Sequence, residues 1–78
     1  MRRLKLIWDF RGPSAEQTAI HHEKHLREYA FAKALSSHLT GTITLSDLHT
    51  YAYLVVNEDE MKSVRDALKP HRGQLHTD

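Results

Sequence analysis

Apolar and polar positions alternate over residues 4–10 of the chain. The even-numbered positions carry two leucines, the tryptophan and a phenylalanine, so one face of an extended segment would be apolar throughout. Period-two alternation with aromatic residues is typical of a β-strand. Arg11-Gly12-Pro13 follows as a tight connection that ends this strand.

A long helix is predicted from Ala15 to about Ser36, because no helix breaker interrupts this segment. Ser14 and Gln17 have the spacing of a capping box at its start. At 100° per residue, apolar side chains form one stripe along the helix, widened on one side by larger residues. The stripe comprises Ala15, Ala19, Leu26 and Ala30, and the larger residues are Ile20, Phe31 and Leu35.

The second half of the chain predicts two strands, at residues 42–45 and 48–56. The second of these is apolar on both faces, since Tyr51, Tyr53 and Val55 alternate with equally apolar neighbours. A sheet with water on one side does not tolerate two apolar faces. Helices are therefore expected to cover one face, and a second copy of the sheet is expected to cover the other.

A second helix is predicted after Asn57, with Glu60 as its capping partner and Pro70 as its stop. A weak last strand is expected at residues 74–77. The element order then matches a ferredoxin-like βαββαβ fold, an α+β domain with an antiparallel sheet and both helices on one face. Residues 1–78 are expected to form this single domain and to pair through the open sheet face as a homodimer.

Composition narrows the class of protein. A chain of 78 residues buries a small core and gains from self-association or a bound metal, and the absence of cysteine excludes disulfides and thiolate zinc sites. Eleven Lys and Arg against ten Asp and Glu form no basic block, so no nucleic-acid partner is expected. Asp9 interrupts the only early apolar run, so no membrane partner is expected, and a cytoplasmic location is predicted.

Three of the seven histidines lie within residues 21–25 of the first predicted helix. His21 and His25 are four residues apart and share one helix face, so they could supply two ligands to a divalent transition metal. The zinc-protease motif H-E-x-x-H is absent, because its second position is His22. Further ligands would have to come from His49, His71, His76, Glu28 or Asp9.

His22 has a different environment, because it lies beside the apolar stripe with Tyr29 next to it. A histidine in this position is most often a hydrogen-bonded core residue. It could also be a general base if a carboxylate fixed its tautomer beside a cleft. Asp9 is the candidate partner, although it lies on the strand face opposite Trp8. The predicted cleft is lined by His22, His25, Trp8 and Tyr29.

Two basic turns are weaker candidates. Arg11 precedes the start of the first helix, where backbone N–H groups could help it to bind an anionic ligand. The turn at residues 69–73 is also basic. An ordinary connection explains both with fewer assumptions, because no glycine-rich phosphate loop is present.

The pattern His22-x-x-His25-Leu26, placed on a first helix after a short apolar strand, resembles the YciI-like and related dimeric α/β-barrel proteins. The resemblance implies two ferredoxin-like subunits with paired sheets, and a helix histidine facing a cleft with an aspartate nearby. It nominates His22 or His25 and leaves the acidic partner open between Asp9 and Asp47. This chain differs from the family in being shorter and in having a short second strand.

The sequence thus predicts a homodimer that binds a small ligand in a histidine-lined cleft, with weak acid/base catalysis as an option. Two alternatives stay open. One is a transition-metal-binding protein that uses His21 and His25, and the other is a structural or interaction module without catalysis.

Overall fold

The structure, a computed structural model, describes residues 2–76 as one four-stranded antiparallel sheet with two helices. The elements are β1 (Arg3–Arg11), α1 (Ala15–Ala32), β2 (Thr40–Ser46), β3 (His49–Asn57), α2 (Glu58–Leu68) and β4 (Arg72–His76). The strands lie in the order β2-β3-β1-β4. This confirms the ferredoxin-like fold class. Thr77, the predicted end of the last strand, lies outside the described residues.

α1 begins at Ala15 as predicted, but its C-terminal end and its N-terminal cap differ from the prediction. The helix ends at Ala32 rather than near Ser36, because Ala34 adopts a left-handed conformation with φ 51°. At the other end, Ser14 makes no side-chain capping bond. Its ψ of 13° is far from the extended conformation that directs a hydroxyl towards the first turn. The second predicted capping box is present: the Asn57 side chain accepts the backbone N–H of Glu60, and the Glu60 carboxylate accepts the Asn57 N–H at 3.2 Å.

The core lies between the sheet and both helices. It combines the even-numbered positions of β1 and β3 with the α1 stripe and with Val64 of α2. All four predicted stripe residues of α1 are buried. The widening of the stripe was wrong for two residues, because Ile20 is 51% exposed and Phe31 is 65% exposed.

The open face of the sheet is covered by the chain's own side chains. Ile7 and Val55 point to this face, and each is 0% exposed. The Lys5 ammonium lies 4.8 Å from the centre of the Tyr53 ring. The Arg72 guanidinium lies 5.3 Å from the centre of the Tyr51 ring. Long side chains with polar tips therefore bury the apolar residues beneath them. Burial alone does not require a second sheet, and pairing through this face stays a prediction.

Candidate functional site

Asp9 is the centre of a polar network on the open face of the sheet. In the β1–β3 register Asp9 lies opposite Tyr51, which makes His49 its diagonal neighbour on the same face. His49 Nε2 lies 2.8 Å from Asp9 Oδ1. From β4, Arg72 donates to both carboxylate oxygens, at 2.9 and 3.2 Å. The ends of three strands are thus joined through one side chain that is 15% exposed.

This network keeps Asp9 ionised. The Arg72 hydrogen bond has the largest effect on the pKa of Asp9, and the His49 hydrogen bond adds to it against the opposing effect of burial. Together they lower the pKa of Asp9 from 3.8 to about 2. The same contact raises the pKa of Arg72.

The ionised carboxylate also determines the tautomer of neutral His49. A carboxylate can only accept hydrogen bonds, so His49 must donate its Nε2–H, and its Nδ1 carries the lone pair. Within residues 2–76, no hydrogen bond is made by His49 Nδ1. An aspartate that orients a histidine in this way is the arrangement used by general bases. The sequence named Asp9 as the carboxylate partner of a histidine, and in the structure the histidine that contacts Asp9 is His49 rather than His22.

His22 lies on the other face of the sheet, and its pairing with Asp9 is not formed. Its ring packs against Trp8 and Phe10, with ring centres 5.2 and 5.4 Å away. β1 separates the two side chains, because consecutive residues of a strand point to opposite faces. His22 Nε2 is buried and has no hydrogen-bond partner in the described part of the chain. Burial lowers the pKa of His22, and the nearby histidines His25, His71 and His21 lower it further.

His71 lies between these two groups at the edge of the sheet. Its Nδ1 accepts the backbone N–H of Asp9 at 2.8 Å, and its ring centre is 6.5 Å from that of Phe10. The sequence offered His71 as a spare metal ligand and as part of the basic turn at residues 69–73. The pairing of β1 with β4 brings it here, and no local pattern in the sequence reports that pairing.

His21 and His25 meet on the solvent side of α1, as their spacing predicts. Their Nε2 atoms are 3.1 Å apart, and His25 Nδ1 lies 3.1 Å from Glu28 Oε1. The His25 and Glu28 side chains are 59% and 60% exposed. Among residues 2–76, no group of three or more histidines and carboxylates is placed to hold a metal ion. The structure therefore places two imidazole nitrogens side by side, next to an acidic side chain.

The other predicted site residues do not line a cleft with His22. Trp8 is 3% exposed, and its indole N–H donates to Leu68 O at 2.9 Å. Tyr29 is half-buried against the core. Arg11 is exposed at the end of β1, and Asp47 is exposed in the β2–β3 turn. These positions leave Trp8 no surface for a ligand and give Asp47 no contact with the helix histidines.

A cavity of about 470 Å³ lies at the opposite side of the sheet from β2, between α2 and β4. It exists because α2 packs on β1 and β3 and leaves the helix-side face of β4 uncovered. We call it the α2–β4 cavity. Its lining residues are Arg2, Leu4, Leu6, Met61, Arg65, Pro70, Arg72, Gly73, Gln74 and Leu75. Of the candidate sites predicted from the sequence, the basic turn at residues 69–73 is the one that contributes to it, through Pro70, Arg72 and Gly73.

The lining of this cavity combines an apolar interior with arginines. Arg2 pairs with Glu58 at 2.8 Å, and Arg65 lies 3.5 Å from Asp66. Both pairs are largely exposed, so each is weak and open to exchange with another anion. The guanidinium of Arg72 is committed to Asp9.

Comparison of the chain with protein-family models, with curated proteins and with solved structures gives no match. The resemblance to the YciI-like proteins therefore stays a prediction. No helix of the described residues is long and apolar enough to cross a membrane.

We expect Asp9→Asn to lower the free energy of unfolding by about 1–2 kcal/mol at pH 7. The depressed pKa means that Asp9 contributes stability above its ordinary pKa of 3.8 and loses it as the pH falls towards about 2. Urea unfolding of both proteins between pH 7 and pH 2 measures this, and the difference should shrink steeply as the pH falls from 3.8 towards about 2. Asp66→Asn is the control, because Asp66 is 59% exposed. A difference that is constant with pH would contradict the assignment.

We expect His22→Leu to raise the free energy of unfolding by about 1 kcal/mol at pH 8, because it removes a buried nitrogen without a partner. This stability gain should grow below pH 6.5, the ordinary pKa of histidine. There His22 of the unfolded wild type is protonated, whereas in the folded state its lowered pKa disfavours protonation. Thermal unfolding at pH 8 and pH 5.5 measures both effects. His38→Leu, at an exposed position, is the control. A less stable variant at both pH values would show that Nε2 has a polar partner.

Proposed function

We propose that the protein binds a small amphipathic anion, an apolar chain with a carboxylate head, in the α2–β4 cavity. The observation that carries the proposal is this cavity of about 470 Å³, apolar inside with arginines in its lining. Pockets for small molecules span roughly 300–1,000 Å³ and combine apolar walls with a few polar groups. The small-ligand function predicted from the sequence is retained, and the proposed site moves from the histidines to this cavity.

The side chains of the cavity favour this class of ligand. Leu4, Leu6 and Met61 offer an apolar surface that an alkyl chain would remove from water. Arg65 can form charge-assisted hydrogen bonds with a carboxylate, in place of its long contact with exposed Asp66. A neutral ligand of the same shape would gain binding free energy only from burial of its apolar chain.

The proposed site is separate from the Asp9–His49 pair. That pair lies on the open face, whereas the apolar residues of the cavity lie on the helix side. Arg72 is shared, since it lines the cavity and binds Asp9. The geometry therefore supports ligand binding in which His49 takes no part in chemistry on the bound molecule.

We expect decanoate to bind the protein and decanol to bind at least tenfold more weakly, a difference of about 1.4 kcal/mol. Calorimetry on the full chain measures both ligands. Arg65→Ala should weaken decanoate binding about tenfold. Lys62→Ala is the matched control, because it removes one positive charge from an exposed position of α2 outside the cavity.

Two outcomes would contradict the proposal. One is equal affinity for decanol and decanoate, which would remove the role of the arginines. The other is unchanged decanoate binding in a folded Met61→Trp variant, whose larger side chain should occupy the cavity. Circular dichroism confirms that each variant is folded before its affinity is interpreted.

A second candidate function is binding of a divalent transition metal by His21 and His25. Nitrogens 3.1 Å apart can both lie about 2.1 Å from one ion, at an angle of about 95°, which suits common coordination geometries. Glu28 would accept the Nδ1–H of His25 and so direct its Nε2 lone pair outward. Solvent would complete the coordination.

We expect Ni²⁺ to bind the wild type, and the double variant His21→Ala/His25→Ala to lose that binding. Glu28→Gln should weaken Ni²⁺ binding about tenfold, because carboxylate partners of ligating histidines have effects of 10–100-fold. His38→Ala is the control, since His38 is an exposed histidine outside this pair. Equal Ni²⁺ affinity of wild type and double variant in calorimetry would eliminate the candidate.

A further inference from the structure

β2 is an outer strand of the sheet, and its free edge exposes backbone hydrogen-bonding groups. Leu39 O accepts the Val55 N–H at 2.9 Å, and in the same register Gly41 and Ile43 lie opposite Tyr53 and Tyr51. Residues of an antiparallel pair alternate between bonding their neighbour strand and pointing away from it. The N–H and C=O groups of Thr40, Thr42 and Thr44 therefore point outward.

The side chains of this segment do nothing to protect the edge. Residues 39–46 contain no charged residue and no proline. Leu39 is 42% exposed, Ile43 is 39% exposed and Leu45 is 55% exposed. Sheet proteins usually guard free edges with lysine, proline or very short strands, because an unguarded edge pairs with other strands.

The other edge of the same sheet is guarded. β4 has only five residues, and Pro70 precedes it. Arg72 and His76 place polar groups along it. The lack of charged residues and proline is therefore specific to the β2 edge and is not shared by the β4 edge of the same sheet.

We propose that β2 pairs with β2 of a second copy of this chain, in an antiparallel two-fold arrangement that joins the two sheets edge to edge. A two-fold axis brings a strand against itself, so any charge on it would face a like charge nearby. The uncharged segment 39–46 avoids this repulsion. Each copy also covers the exposed apolar side chains of the other.

The alternation of backbone groups narrows the register. With the axis at Ile43, Thr42 of one copy lies opposite Thr44 of the other, and both present outward-pointing groups. Ile43 then faces its own copy at a non-hydrogen-bonded position, where Cα atoms lie about 4.5 Å apart. This arrangement leaves Tyr51 and Tyr53 on the open face uncovered, which distinguishes it from pairing through the sheet face.

Sedimentation of the full chain tests the proposal. We expect a dimer for the wild type at 50 µM and a monomer for Ile43→Lys, which places two lysines against each other. Thr42→Pro, which removes an outward N–H, should also be monomeric and serves if Ile43→Lys fails to fold. Ile20→Lys is the matched control, because Ile20 is 51% exposed on α1, and this variant should stay dimeric.

A single cysteine gives a second measurement, because the chain contains none of its own. Oxidised Ile43→Cys should form a disulfide-linked dimer, since the expected Cα separation lies in the range that disulfides span. Ile20→Cys should not. A monomeric wild type would overturn the proposal. So would a dimer that dissociates with Tyr53→Glu but survives both β2 variants, which would instead place the interface on the open face.

Discussion

The antiparallel pairing of β1 with β3 sets nine residue pairs opposite one another, from Arg3 with Asn57 to Arg11 with His49. Both strands are central, so every other element takes its position from this register. The even-numbered residues of both strands point to the helices and form the core. The odd-numbered residues point to the open face, where Asp9 meets His49. A shift of one residue would exchange the two sets.

The two faces of the sheet exclude water in different ways. On the helix side, α1 and α2 bury a continuous apolar layer. On the open side, Lys5 and Arg72 extend across tyrosine rings, and these rings and the lysine and arginine stems shield Ile7 and Val55. Cation–π contacts hold the charged ends of these side chains over the tyrosine rings, and their apolar stems keep water away from the strand residues beneath. Two apolar faces on β3 therefore do not by themselves require a second sheet, because the long side chains of the same chain can cover one of them.

The fold could be read from the sequence because its elements are encoded locally. Alternation in β1, the stripe from Ala15 to Ala30 and the stop at Pro70 each depend on residues close together in the chain. The end of α1 was misplaced because Ala34 takes a left-handed conformation that its own side chain does not favour. The bounds of β2 also differed, since pairing with β3 extends a strand whose own pattern is short.

The candidate sites also differ in whether they depend on local sequence or on contacts between distant residues. Spacing along one helix was enough to bring His21 and His25 together and to turn His22 towards the core, because helix geometry is set by neighbours in sequence. The partner of Asp9 depended on which residues β1 meets across the sheet, and the α2–β4 cavity depended on where α2 packs. These are contacts between residues distant in sequence. The sequence by itself therefore determined the elements and their faces, whereas only the tertiary structure decided that Asp9 holds His49 and Arg72.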